Sequence, residues 1–186
     1  MHFLKKYLLV LICAAASHAA AQEAPRIRAF TPADYGGQNQ NWAIAQSPAT
    51  GWIYAGNNGG LLEFDGARWR QISLPEKQTV RAVAIGKREE VFCGGFAEFG
   101  FWKTDDSGRL SYTSLSSQVR AEQLGKEEIW HILVLPDYVL FQSFSTIYKY
   151  DYQKITVLHP PSSIMFIQEV GGKVWLPAIG RGLYEL

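Results

Sequence analysis

Cysteine and histidine are scarce in this 186-residue chain, at two and four residues. Cys13 sits in an N-terminal apolar stretch and Cys93 stands alone beyond it, so no disulfide framework is expected and Cys93 reads as a small buried strand residue. His131 and His159 are the only imidazoles after residue 21, without HxH, HExxH or CxxC spacing, so neither a metal site nor a cofactor is expected. Excess charge is lacking too: 18 Lys+Arg face 17 Asp+Glu. That balance argues against contact with nucleic acid or an anionic membrane. Beyond the N-terminus no apolar run approaches the roughly 20 residues that span a bilayer. Nor does any window sustain a 3.6-residue apolar period, which excludes helical bundles and solenoids.

The N-terminus has the layout of an export signal. Lys5 and Lys6 precede the apolar segment 7–16, and Ala19-Ala20-Ala21 offers small residues before Gln22. Cleavage after Ala21 is expected, giving an exported, periplasmic chain of 165 residues with 16 basic and 17 acidic side chains. Ile12 before Cys13 is too bulky for a lipoprotein signal. Residues 22–40 form a lead-in segment, and a repeat organises 41–186.

Four segments share one layout: an apolar strand, a turn, a second strand, a Gly-containing turn, and a third strand ending near an Asp. The expected blades cover about 41–74, 79–117, 127–159 and 164–186. The second-strand anchors Ile53, Val91, Val139 and Val174 lie 38, 48 and 35 residues apart. A mean period near 40 is that of four-stranded propeller blades. Segments such as 52–55 and 147–150 are short, rich in β-branched and aromatic residues, and bounded by Gly, Asn and Asp, as strands are. Asn57-Asn58-Gly59-Gly60, Asp65-Gly66 and Asp106-Ser107-Gly108 supply turns that tolerate positive φ. The six tryptophans, one or two per blade, are expected to pack between blades, and Pro160-Pro161 marks the passage from blade three to four. The expected fold is all-β, a propeller of about three and a half four-stranded blades in an incomplete ring. Closed propellers have about 4–8 blades, so the chain reads as the beginning of a longer protein.

The runs "FTPADYGGQNQNWAIAQ", "IYAGNNGGLLEFDGARWRQISLP", "VRAVAIG", "EFGFWKTDDSGRLSYTSL", "FQSFSTIYKYD" and "KITVLHP" together resemble the N-terminal sensor region of bacterial two-component-regulator propeller proteins. The resemblance covers nearly the whole chain after the signal. It implies a periplasmic propeller followed by a triple-tyrosine domain, one membrane helix, a coiled coil and a cytoplasmic helix-turn-helix domain, or by a histidine kinase in related members. None of those modules lies in this sequence, so the expectation is an N-terminal portion of the input module, anchored in the inner membrane only in its full-length form.

Catalysis is not expected. The sequence has no GxSxG elbow or phosphate-cradling loop, and the inner strands at 42–45, 80–85 and 129–134 carry no carboxylate with which to build the acid pair of a glycosidase. Asp65, Asp105, Asp106, Asp137 and Asp151 read as turn formers, and Glu89-Glu90 and Glu127-Glu128 as solvated strand beginnings. Ligand binding remains. Aligning the inner strands places Trp42, Arg81 and Trp130 at similar positions near one mouth of the channel, with Phe166 next in line. Aromatic faces and an Arg there suit a small molecule or an acidic oligosaccharide, and Arg181 is a second candidate anion contact. The expected partners are that ligand together with the missing downstream domains; the alternative is a secreted binding protein that closes its ring with a second copy through 182–186.

Overall fold

A computed structural model describes residues 27–105 and 109–186. The expected signal peptide, its cleavage site after Ala21, and Cys13 lie outside the described residues. Among the described residues the fold is all-β apart from a one-turn helix α1 (Pro32–Tyr35) and two short 3₁₀ turns. Three antiparallel four-stranded meanders follow one another: β1 (Asn41–Gln46) to β4 (Trp69–Ile72) through β2 (Ile53–Asn57) and β3 (Gly60–Phe64); β5 (Ala82–Ile85) to β8 (Leu110–Ser114) through β6 (Val91–Gly94) and β7 (Phe99–Thr104); and β9 (His131–Val134) to β12 (Ile155–Leu158) through β10 (Val139–Gln142) and β11 (Ile147–Tyr150). A fourth sheet has three strands, β13 (Gln168–Val170), β14 (Lys173–Ala178) and β15 (Gly182–Glu185). The inner strands β1, β5 and β9 lie side by side, so the sheets are disposed like propeller blades.

The burial pattern follows from that layout. Middle strands β2, β3, β6 and β10 are buried at almost every position, because the sheets they belong to are packed on both faces. The outer strands β4, β8 and β12 keep exposed residues among half-buried ones. Three apolar clusters fill the gaps between successive sheets: Tyr54, Leu61, Val83 and Cys93 between the first and second, Phe92, Phe99, Phe141 and Tyr148 between the second and third, Leu140, Ile147, Ile167 and Leu176 between the third and fourth. Cys93 is wholly buried, and burial pushes its thiol pKa up, so it packs as a hydrophobe. At the inter-sheet junctions glycine is a steric requirement. A Cβ on Gly94 would lie 2.5 Å from Ile129 Cγ2, and one on Gly56 would lie 2.8 Å from the Val80 carbonyl oxygen.

An Asp follows the third strand of each four-stranded blade and accepts backbone N–H groups further along the chain, residues 106–108 of the second such turn lying outside the described ones. Asp65 Oδ1 accepts the backbone N–H of Ala67 and Arg68 (2.8 and 2.7 Å), Asp105 Oδ1 that of Arg109 (2.9 Å), and Asp151 Oδ1 those of Gln153 and Lys154 (3.0 and 2.9 Å). The backbone hydrogen bonds from Arg68 and Lys154 hold the carboxyls of Asp65 and Asp151 below the ordinary range. A carboxyl depressed in the folded state stabilises fully above its unfolded pKa of about 3.9, and the contribution is lost as pH falls through the folded value. The urea midpoint is therefore expected to fall between about pH 5 and about pH 2, and the double variant Asp65→Asn/Asp151→Asn, which keeps an acceptor but cannot titrate, is expected to show a shallower fall. An unchanged slope would assign the acid sensitivity elsewhere.

Two expectations are corrected. Glu89 and Glu90 are not simply solvated: the tight Gly86–Glu90 turn folds the Glu90 carboxylate back onto the N–H of Arg88 (3.0 Å), leaving Glu90 5% exposed, while the Glu89 carboxylate accepts a hydrogen bond from Ser47. Trp69, expected between blades, packs instead on its own sheet and the lead-in segment. It stacks on Phe64 and meets Phe30 and Tyr35 of the lead-in segment edge-on, at ring distances of 4.8, 5.4 and 5.9 Å, so the lead-in segment partly covers the outer side of the first sheet. A groove of about 530 Å³ stays open there.

The segment is held by Asn57, which is fully buried. Its amide nitrogen donates to Gln38 O, Gln40 O and Asn41 Oδ1 (2.6, 3.0 and 2.8 Å), and its oxygen accepts the N–H of Gln38 and Gly59 (2.9 and 2.8 Å).

Candidate functional site

Each inner strand begins beside the end of its second strand, so the residues at its start come together where successive blades meet. Arg81 N–H donates to Gly94 O (2.7 Å) and Trp130 N–H to Gln142 O (2.8 Å), which puts the two side chains at matching places in the second and third blades. In the first blade a register shift between Asn41 and Ala43 frees Trp42 from the ladder, and its indole N–H donates to Asn58 Oδ1 (2.7 Å).

These three residues meet. The Arg81 guanidinium lies 3.9 Å from the Trp42 ring centre and 5.2 Å from that of Trp130, and the two indoles contact edge to face at 5.9 Å. Glu128 Oε1 stands 3.3 Å from Arg81 Nε. Arg81 Nε and Nη1 and Glu128 Oε2 are buried without hydrogen-bond partners. The cation is thus positioned by ring faces and one carboxylate, while hydrogen-bonding capacity remains unused. Trp130 continues to Phe144, tilted at 5.5 Å, and His131 meets Phe166 edge-on at 5.7 Å. Burial lowers the His131 pKa below 6.5, so its ring is neutral at neutral pH.

Arg181 does not join this cluster. It lies exposed in the β14–β15 turn, where its backbone N–H donates to Ala178 O (3.0 Å). Glu128, expected as a solvated strand beginning, is instead the counter-ion of Arg81. Glu128 escaped the sequence reading because its role depends on the neighbouring blade, and Asn58 and Phe144 because theirs join the first strand of their own blade to a turn more than a dozen residues on. One signal was present for Phe144: like Phe96, it follows the end of its blade's second strand by two residues.

The cluster offers ring faces, one guanidinium and one carboxylate, which suits binding. Glu169 is a carboxylate on an inner strand of the fourth blade, where none had been assigned, and its Oε1 accepts the Gly172 N–H (3.2 Å).

No family model matches the sequence, and no curated protein matches it. Among solved structures the chain is similar to a protein of unknown function from Bacteroides caccae, with a TM-score of 0.53 and 11% identity over 75% of this chain and 53% of that one. The chain thus spans about half the length of that structure. At this identity the likeness speaks for the fold, an all-β set of antiparallel sheets.

Proposed function

We propose that this chain is the extracytoplasmic, non-catalytic ligand-sensing propeller portion of a membrane-spanning signal-transduction or transcriptional regulator, with its ligand contact at the Trp42–Arg81–Trp130 mouth. The observation that carries the reading is the convergence there of side chains from three successive blades. A ligand seated on them would touch three blades at once, and so bias their relative placement, which is what an input module needs. The export signal and the resemblance of the quoted runs to two-component-regulator propellers add to it. Glycosidase chemistry lacks support in the sequence, since β1, β5 and β9 carry no carboxylate.

Reading the gene past the codon for Leu186 tests this. The expected result is an in-frame continuation with further blades, a membrane helix and an output module. A stop codon at that place would overturn the regulator reading.

The alternative is a secreted binding protein that closes its ring with a second copy. Its support is two uncovered surfaces: the groove outside the first sheet, and β15, which among the described residues has one strand neighbour and exposes Leu183 and Tyr184. A dimer by light scattering is its expected outcome, and a folded monomer counts against it.

A further inference from the structure

The two faces of the blades differ. In an antiparallel meander the second-to-third-strand turns and the connections between blades share one face, and the other turns share the opposite face. Exposed large apolar side chains fall on the first face: Phe96, Phe144, Met165, Phe166 and Ile179. Among the described residues of the opposite turns there are none. On this apolar face, next to the mouth but separate from it, a groove of about 490 Å³ opens between the β4–β5 connection, the β6–β7 turn and the β8–β9 connection.

The lining of this groove has a definite chemistry. Phe96 and Leu124 supply apolar wall, Glu76, Gln78 and Glu98 supply acceptors, and no Lys or Arg lines it. Glu98 is held rigidly: Oε1 accepts from the hydroxyls of Tyr112 and Ser114 (both 2.8 Å) and Oε2 from Ser116 (2.6 Å). Neither Glu76 nor Glu98 has an ion-pair partner among the described residues. Gln78 Oε1 is buried and accepts no hydrogen bond. Two carboxylates without an ion-pair partner among the described residues, beside an aromatic ring 49% exposed, suit a cation that carries an apolar body.

We infer that this groove binds an amphipathic organic ammonium ion, its cationic head against Glu76 and Glu98 and its apolar body against Phe96 and Leu124. The inference rests on the groove alone and stands whichever output module follows the propeller.

Three probes of nearly one shape test it by calorimetry on the purified chain: phenethylammonium, 2-phenylethanol and phenylacetate. Saturable binding of the ammonium probe, with at least tenfold weaker binding of the other two, is expected. Phe96→Ala and Glu76→Gln, both at exposed positions, are each expected to weaken the ammonium probe by about tenfold. Trp130→Ala at the mouth is expected to leave it unchanged. Equal binding of the three probes, no binding of the ammonium probe, insensitivity to both groove variants, or loss in Trp130→Ala would each overturn the assignment. A stop codon after Leu186 would leave these results untouched, so the two proposals fail separately.

Discussion

Phe141→Ala is expected to cost about 3–5 kcal/mol, a large part of the roughly 5–15 kcal/mol that holds a domain of this kind folded. Phe141 is fully buried on β10, at the centre of the interface between the second and third sheets. Its ring lies 5.7 Å from Phe92 and 4.8 Å from Phe99, and Phe99 stacks in turn on Tyr148 at 4.7 Å. Truncation removes the transfer free energy of the ring, leaves a cavity between two sheets that cannot collapse independently, and deletes two aromatic pairs. Phe144→Ala, three residues further on in a turn where the ring is 38% exposed and meets Trp130, is expected to cost less, about 1–2 kcal/mol. Urea unfolding of the two variants measures the contrast. Similar losses would mean that the cluster between the sheets does not carry the stability assigned to it.

The second large effect is expected from Asn57→Asp, at about 3 kcal/mol or more near neutral pH. The swap is nearly isosteric, but it replaces the nitrogen that donates to Gln38 O, Gln40 O and Asn41 Oδ1 with a carboxylate oxygen facing three acceptors. Protonation of the new carboxyl restores one donor, so its folded pKa rises above the unfolded value of about 3.9. The folded state then holds the proton more tightly, and the variant loses stability as pH climbs from about 4 towards the folded value, beyond which the deficit is constant. Asn57→Ala loses the same contacts without acquiring a titrating group. Its deficit is expected to be independent of pH over that range, and a matching pH profile in the two variants would sink the electrostatic account. Cleavage in the lead-in segment by a protease offers a second readout, because Asn57 anchors residues 38, 40 and 41 to the first sheet.

Much of the fold was legible along the chain. The alternation of short β-branched and aromatic runs with Asp- and Gly-bearing turns set the strands, since backbone conformation in a meander is decided within a few residues. The turns after β3, β7 and β11 illustrate this, for in each an Asp carboxylate satisfies N–H groups two to four residues on. That Trp42, Arg81 and Trp130 lie near the start of the first strand in successive blades was also readable, and those starts meet because the first strands pack side by side.

What surrounds those residues was not readable. Glu128 reads as a solvated residue until the third blade brings it beside Arg81 of the second. Trp69 reads as inter-blade packing until the lead-in segment covers the first sheet from outside. Arg181, similar in type to Arg81, is left apart because it belongs to a turn and not to the start of an inner strand. The groove beneath Phe96 is assembled from a turn of the second blade and the connections that enter and leave that blade. The sequence by itself determined the strands, their turns and their repeat, because those depend on local backbone preference and alternating polarity. The tertiary structure alone decided which charges are paired, which rings meet and where cavities open, because burial and Coulomb energy depend on distances between segments remote along the chain.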